Sequence, residues 1–367
     1  MPELECAQHT IRTDKAYLDR FNAKVAAQRI PLFGTIDLTR SCNLSCIHCY
    51  LGKPAAAEIS RSDEIRTEKW KQIIDEITVA GCLHLLITGG EPSLRKDFPE
   101  IYQHAVQNGL LVTVFSNATR VTDKILDLFT DLPPQTVEVS LYGATAETYE
   151  QITRVSGSFE RCRQGIERLL SRGIRTALKT VLMTVNLHEF AAIEETARRL
   201  GVKFRFDAAL FPCLDGDPAP IDYRVSPEEA VQLEMADRER CLRWIRHHQR
   251  TGGVPPYDTL YICGAGAASF YIDPSAKLHA CIMTREPEFD LLQGSFQEGW
   301  HTVIPAIRDR KAAIESCRNC PKISLCGYCP AFFMLEKGDE KICSEYLCEL
   351  GEHRLKSIRQ YQMERGE

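Results

Sequence analysis

"GTIDLTRSCNLSCIHCY", residues 34–50, joins a short β-rich run to three closely spaced thiols. Residues 34–39 read as a strand, and Cys42, Cys46 and Cys49 follow directly on its end. Three is the wrong number for a structural zinc site, which takes four ligands, and for disulfides, which take pairs. A zinc site completed by His48 is a poor alternative, because His48 lies one residue from Cys49. Three thiolates suit three irons of a cubane [4Fe–4S] cluster, with the fourth iron left open to an outside ligand.

The totals narrow the setting. The 367 residues have room for one large domain with an appendage, or for two domains. A net charge of −5 gives no reason to expect nucleic acid or an anionic membrane as the main partner. No apolar run approaches the roughly 18 residues of a membrane span. The stretch "MPELECAQHTIRTDKAYLDRF" is charged throughout and does not read as a secretory signal, so the expected location is the cytoplasm. Sixteen cysteines in that compartment read as metal binding or catalysis rather than disulfides. Besides the triplet there is a C-terminal group of Cys263, Cys281, Cys317, Cys320, Cys326, Cys329, Cys343 and Cys348. Cys6, Cys82, Cys162, Cys213 and Cys241 are scattered and read as small buried hydrophobes.

From residue 34 to about 210, β-rich runs alternate with amphipathic stretches. The strands are 34–39, 84–88, 111–115, 136–142, 175–184 and 203–208. Between them lie helical stretches, among them one opened by Thr67 as a cap and ended by Gly81, and two stopped by Gly173 and Gly201. Six β-α repeats predict parallel strands in an α/β fold, an open partial (β/α)6 barrel of the TIM type, with a doubly wound sheet as the other arrangement. Period-2 alternation turns Asp37, Glu138, Ser140, Tyr142, Lys179, Lys203, Arg205 and Asp207 inward. Such charges predict either a wet, ligand-filled lumen or pairs within a packed one. Residues 211–225 read as a linker or lid, and 226–250 as one long helix with Ser226 as N-cap and Pro227 at N1. The expected division is an N-terminal extension 1–33, a barrel 34–210, a linker and bridging helix 211–256, a small cysteine-rich α+β iron–sulfur domain 257–350, and a C-terminal helix 351–367.

The triplet resembles the C-x3-C-x2-C pattern of the radical S-adenosylmethionine (SAM) enzymes. "TGGEP", Thr88 to Pro92, ends the second strand as the family's Gly-Gly-Glu-Pro segment does. The resemblance implies a [4Fe–4S] cluster with an open iron on Cys42, Cys46 and Cys49, and SAM beside it. His48 takes the place of the aromatic residue that packs on adenine, and Gly89, Gly90 and Glu91 that of the binding site for the methionyl amine. Glycines let backbone approach a ligand closely, and a carboxylate suits an ammonium. Ser116, Asn117, Ser140 and Arg154 match positions that hold ribose and carboxylate in relatives. The implied chemistry is one-electron cleavage of SAM to methionine and a 5′-deoxyadenosyl radical, which takes a hydrogen atom from a substrate in the lumen.

The C-terminal cysteines resemble the family's SPASM extension, with one or two auxiliary iron–sulfur clusters. Ala276 stands where glycine is usual, and "CRNCPKISLCGYC" is one residue shorter in its last gap than the family's run. By analogy Cys317, Cys320, Cys326 and Cys348 hold one cluster. Cys263, Cys281 and Cys329 hold another whose fourth ligand is open, with Cys343 in reserve there and as the alternative to Cys348 in the first. A zinc ribbon of Cys317, Cys320, Cys326 and Cys329 is the plain alternative. The resemblance implies oxidation of a peptide or protein substrate, fed by a low-potential donor of the flavodoxin or ferredoxin type. Ile282 stands where sulfatase-maturing members carry Asp, against that reaction. The segment before the barrel looks too short for a peptide-recognition domain, so a separate recognition protein is expected. Asp207 and Tyr142, and with them Asp215 and Asp217, are substrate-site expectations from position alone. Tetrapyrrole side-chain chemistry and a non-catalytic iron–sulfur carrier are the other readings.

Overall fold

The computed structural model describes residues 15–52, 64–251, 258–311 and 314–365. Its backbone follows from the alternation above. Helix α1 (Lys15–Ala27) leads to β1 (Phe33–Asp37), then α2 (Thr67–Val79), β2 (His84–Thr88), α3 (Phe98–Gln107) and β3 (Leu111–Ser116). The series continues with α4 (Asp123–Asp131), β4 (Thr136–Ser140), α5 (Ala146–Thr153), α6 (Ser158–Ser171), β5 (Thr176–Val181), α7 (Phe190–Arg199) and β6 (Lys203–Asp207). Strands β1 to β6 pair in parallel in sequence order, as helical crossovers require. One face of the sheet packs Ile36, Val139 and Leu178 against Trp70, Ile73, Ile101 and Tyr102, all without solvent exposure. The partial barrel expected from the sequence is the fold.

The C-terminal half consists of α8 (Pro227–Ala236), α9 (Arg238–Thr251), β7 (Ser269–Ile272), β8 (Lys277–His279), β9 (Phe289–Asp290), α10 (Phe296–Thr302), α11 (Pro305–Arg308), α12 (Glu315–Arg318), α13 (Pro330–Lys337) and α14 (Glu345–Arg365). β7 pairs in parallel with β1, so one nine-stranded sheet runs β6-β5-β4-β3-β2-β1-β7-β8-β9. β1 is thus an interior strand, paired on both sides. Gly34 permits this: a Cβ there would stand 2.4 Å from the Phe270 ring.

Several local expectations change. Thr67 does not cap α2; its hydroxyl donates to Asp97 at 2.7 Å, and Arg66 holds the cap position without a side-chain bond. The long helix is two, because Asp237 is extended (φ −89°, ψ 124°) and its carboxylate accepts from Arg240 N at 2.8 Å, starting α9. Ser226 and Glu229 form a capping box at the start of α8. α14 begins at Glu345 rather than 351. β4, β5 and β6 stop short of their expected ends; Leu141, Leu182 and Ala208 just beyond them are buried, which carried the apolar alternation past each strand. Of the charges expected inward, Glu138 binds Arg205 at 2.6 Å and the Lys179 ammonium sits 3.0 Å from the Phe115 ring centroid, whereas Lys203, Arg205 and Asp207 are exposed. Cys82, Cys162, Cys213 and Cys241 are buried, and Cys6 lies outside the described residues. Among the described residues no helix is long and apolar enough to cross a membrane.

Candidate active site and the C-terminal thiol sets

The triplet loop leaves β1 at its C-terminal end and is held from several sides. Ser45 N donates to Thr153 O (2.9 Å) and Ile47 N to Ile152 O (3.0 Å), so the last carbonyls of α5 carry the loop. On the opposite flank Gly90 N donates to Thr39 O (2.7 Å) and Glu91 N to Ser41 O (2.9 Å). A Cβ at Gly89 would lie 2.6 Å from Thr39 O, and one at Gly90 2.3 Å from Ser41 O. The close approach that these glycines allow is therefore to the thiol loop itself. A third contact comes from beyond β6, where the Cys213 thiol donates to Cys49 O at 3.4 Å.

Glu91 is fully buried and ties the ends of β2 and β3 together. Its carboxylate accepts from Ser93 N (3.2 Å) and Oγ (2.6 Å), Ser116 Oγ (3.0 Å) and Asn117 N (2.8 Å). Burial raises its pKa, against the pull of these donors. Asn117 Nδ2 in turn reaches the Cys42 sulfur at 3.8 Å and Asn43 Oδ1 at 3.0 Å. Asn43 closes the circuit by donating to Thr119 Oγ1 at 2.7 Å. Glu91, Ser116 and Asn117 thus form one network with Cys42. Asn43 and Thr119 belong to it and were missed in the sequence, where nothing but proximity to a cysteine marked Asn43.

His48 and Tyr142 also join the thiols. Their rings meet edge to face at 4.6 Å. Loss of water around the imidazole pulls its pKa down to about 4, and its buried Nδ1 has no partner. Ser140 ends β4 below Tyr142, and its carbonyl accepts from the Cys162 thiol at 3.9 Å. Arg154 caps α5 in the left-handed conformation (φ 56°), one residue past the carbonyl that holds Ser45. Its guanidinium is exposed and, among the described residues, unpaired. Asp207 is not in this group: it is exposed at the end of β6, where its carboxylate accepts from Ala209 N at 2.9 Å. Asp215 and Asp217 make similar turn bonds, to Asp217 N and Ala219 N.

Asp37 carries more than its inward position in the sequence indicated. It is fully buried, its Oδ2 accepts from Tyr271 (2.8 Å) and Tyr50 (3.2 Å), and its Oδ1 has no partner. Burial lifts its carboxyl to about 7.

The donor set, three thiols on one loop at the end of β1, has the number that a cubane cluster with one open iron takes. Burial pushes the Cys42 thiol up to about 11 and raises those of Cys46 and Cys49, and the charges that act on Cys42 and Cys49 include the acidic Glu91 and Asp37. Such thiols stay protonated until a positively charged centre takes them as ligands.

The C-terminal thiols fall into two sets by electrostatic reach. Cys263 lies within reach of Cys281, and both lie within reach of Cys329. Cys317, Cys320, Cys326, Cys343 and Cys348 form the second, with the Cys317 and Cys343 sulfurs 3.1 Å apart. Cys343 therefore stands beside Cys317, in the set for which it is the alternative to Cys348. Tyr328 lies between the sets, its pKa raised by burial and by cysteines of both. Ala276 closes the β7–β8 turn with φ 61°, the region that makes glycine usual there.

Comparison with known proteins agrees with this geometry. Residues 36–200 match the family description of the radical SAM superfamily. Mycofactocin maturase MftC of Mycolicibacterium smegmatis is 30% identical over 82% of this chain and 78% of its own. AdoMet-dependent heme synthase of Methanosarcina barkeri is 26% identical over 86% of this chain and 95% of its own. Among solved structures, Streptococcus suis SuiB bound to precursor peptide SuiA superposes with a TM-score of 0.68 at 14% identity, over 95% of this chain and 84% of that one. Native anSMEcpe with bound AdoMet gives 0.69 at 13% identity, over 91% and 98%. The chain belongs to the radical SAM superfamily, and it is an enzyme of the SPASM type. The superfamily uses a [4Fe–4S] cluster and SAM, and SPASM-type members carry auxiliary clusters.

Proposed function

We propose that this enzyme oxidises a peptide or protein substrate by hydrogen abstraction. Cys42, Cys46 and Cys49 hold the SAM-cleaving cluster, and Cys317, Cys320, Cys326 and Cys348 hold an auxiliary one. Cys263, Cys281 and Cys329 hold a second auxiliary cluster. When bound, the triplet cluster and SAM supply one-electron cleavage to methionine and a 5′-deoxyadenosyl radical. The residues around the triplet set its surroundings. Gly89, Gly90 and Glu91 fix the height of the thiol loop, and Ser116 and Asn117 brace Cys42. His48 offers a buried nitrogen and a ring face, Ser140 floors the site below Tyr142, and exposed Arg154 offers a cation to a ligand carboxylate. The single observation that carries the substrate class is the 30% identity to a mycofactocin maturase over 82% of the chain. A low-potential flavodoxin- or ferredoxin-type donor and a separate recognition protein belong to the same reading.

The test is anaerobic reconstitution, dithionite reduction and assay of 5′-deoxyadenosine. None from fully clustered protein would refute the reaction. Tetrapyrrole modification is the second reading, favoured by the match along 95% of a heme synthase. Adding an iron tetrapyrrole in place of peptide separates the two, because only the true substrate is consumed alongside SAM. Iron retained in a Cys42/Cys46/Cys49→Ala variant tests the C-terminal sets; its complete loss would sink them.

A further inference from the structure

The barrel's open side ends in a groove whose lining includes none of the residues assigned above to the clusters or to SAM. β6 is the last strand of the sheet, and among the described residues its outer edge has no strand partner. α9 lies alongside, fixed to the C-terminal half by His247 and His248, which reach the carbonyl (2.9 Å) and hydroxyl (3.2 Å) of Ser324. Between β6, α9 and the Ser324–Gly327 loop lies a cavity of about 1180 Å³. Phe204, Phe206 and Trp244 give it an apolar lining.

Its charge is lopsided. α9 carries five arginines and one acid, in a chain whose net charge is −5. Arg240 is taken by Glu194, and Arg205 on β6 by Glu138. Arg243, Arg246 and Arg250 are different: all three line the groove, are exposed and lack a carboxylate partner among the described residues. Their spacing of three and four residues puts them in one row along the helix. An unpaired strand edge asks for a backbone with alternating N–H and C=O groups, which a polypeptide has and a nucleic acid lacks. A row of free guanidiniums beside it asks for carboxylates. A trough between a strand and a helix suits an extended segment better than the convex surface of a folded electron carrier.

We propose that this groove binds an acidic polypeptide segment as an added strand on β6, its carboxylates facing Arg243, Arg246 and Arg250. The inference deepens the peptide-substrate reading and rests on it for the segment's biological source. The binding itself is testable without turnover.

A fluorescein-labelled peptide alternating Glu and Val is titrated into the full chain without SAM or reductant, and anisotropy is read. Binding is expected, weakening with salt, and the R243E/R246E/R250E variant should lose at least about tenfold in affinity while its circular dichroism is unchanged. The same peptide N-methylated at every second residue should lose a similar factor, and amides 203–207 should gain protection from hydrogen exchange in the complex. Binding that survives the charge reversal overturns the proposal. So does binding that leaves β6 unprotected, which would mark the arginines as a docking face for a folded acidic carrier. If 5′-deoxyadenosine forms but the Glu-Val peptide does not bind, the groove assignment falls and the radical reading stands. If the peptide binds as described but no 5′-deoxyadenosine forms, the groove assignment stands and the radical reading falls.

Discussion

Asp37 has lost its water, and burial lifts its carboxyl to about 7 although Tyr271 and Tyr50 donate to it. In the unfolded chain the same group titrates near 3.8. The folded state therefore binds the proton more tightly, and the group's contribution to stability falls as pH rises from about 4 to about 7. Asp37→Asn should leave stability near wild type at pH 4 and raise it at pH 8, by on the order of 2–4 kcal/mol. Urea midpoints of anaerobic protein at both pH values check this; a gain equal at both would mean another cause. Glu91→Gln places an amide among donors from Ser93, Ser116 and Asn117 and should destabilise by about 1–3 kcal/mol. Both carboxylates were visible as residues at strand ends, but their partners were not. Ser116 lies 25 positions from Glu91 and Tyr271 lies 234 from Asp37, distances at which a sequence pattern carries no pairing information. The thiols were legible because their spacing is local, and so was the segment Gly89–Glu91.

At the scale of elements, the β7–β8 turn holds Ala276 at φ 61°, where a Cβ is strained. Ala276→Gly should stabilise by about 1 kcal/mol, read as a raised thermal midpoint. At the start of α8, Ser226→Ala removes one half of a capping box and should cost about 1 kcal/mol by the same measurement. The Ser226 cap was readable because a cap is a local signal next to Pro227, whereas the Glu229 half of the box came only with the structure. The break at Asp237 was not, since the apolar period runs across it and only the bond to Arg240 N reveals a second start. The strands were found because alternation is strong in half-buried sheets, and their ends overran wherever a buried loop residue continued the pattern. α3 and α5 went unread, although α5 proves to carry the thiol loop on its last carbonyls.

Across the whole molecule, the two halves are joined by the sheet, and the C-terminal half is tied together by a buried ion pair. Arg354 on α14 binds Glu234 on α8 through two bonds of 2.7 Å, and its guanidinium lies 4.2 Å from the Trp244 ring. Glu234→Ala strands that cation and should destabilise by about 3–5 kcal/mol, measured by denaturant midpoint. The pairing of β1 with β7 was not legible, because no sequence signal links two parallel strands from different halves of the chain. It has a consequence for synthesis. The thiol loop leaves the ribosome early, on a strand whose second neighbour, Ser269 beside Phe33, is translated far later. At roughly 5–20 residues per second, β1 waits on the order of 10–50 s with one edge bare. The nascent enzyme thus spends that interval with its future cofactor ligands hung from a half-paired strand, and secure cofactor loading belongs after translation has finished rather than during it.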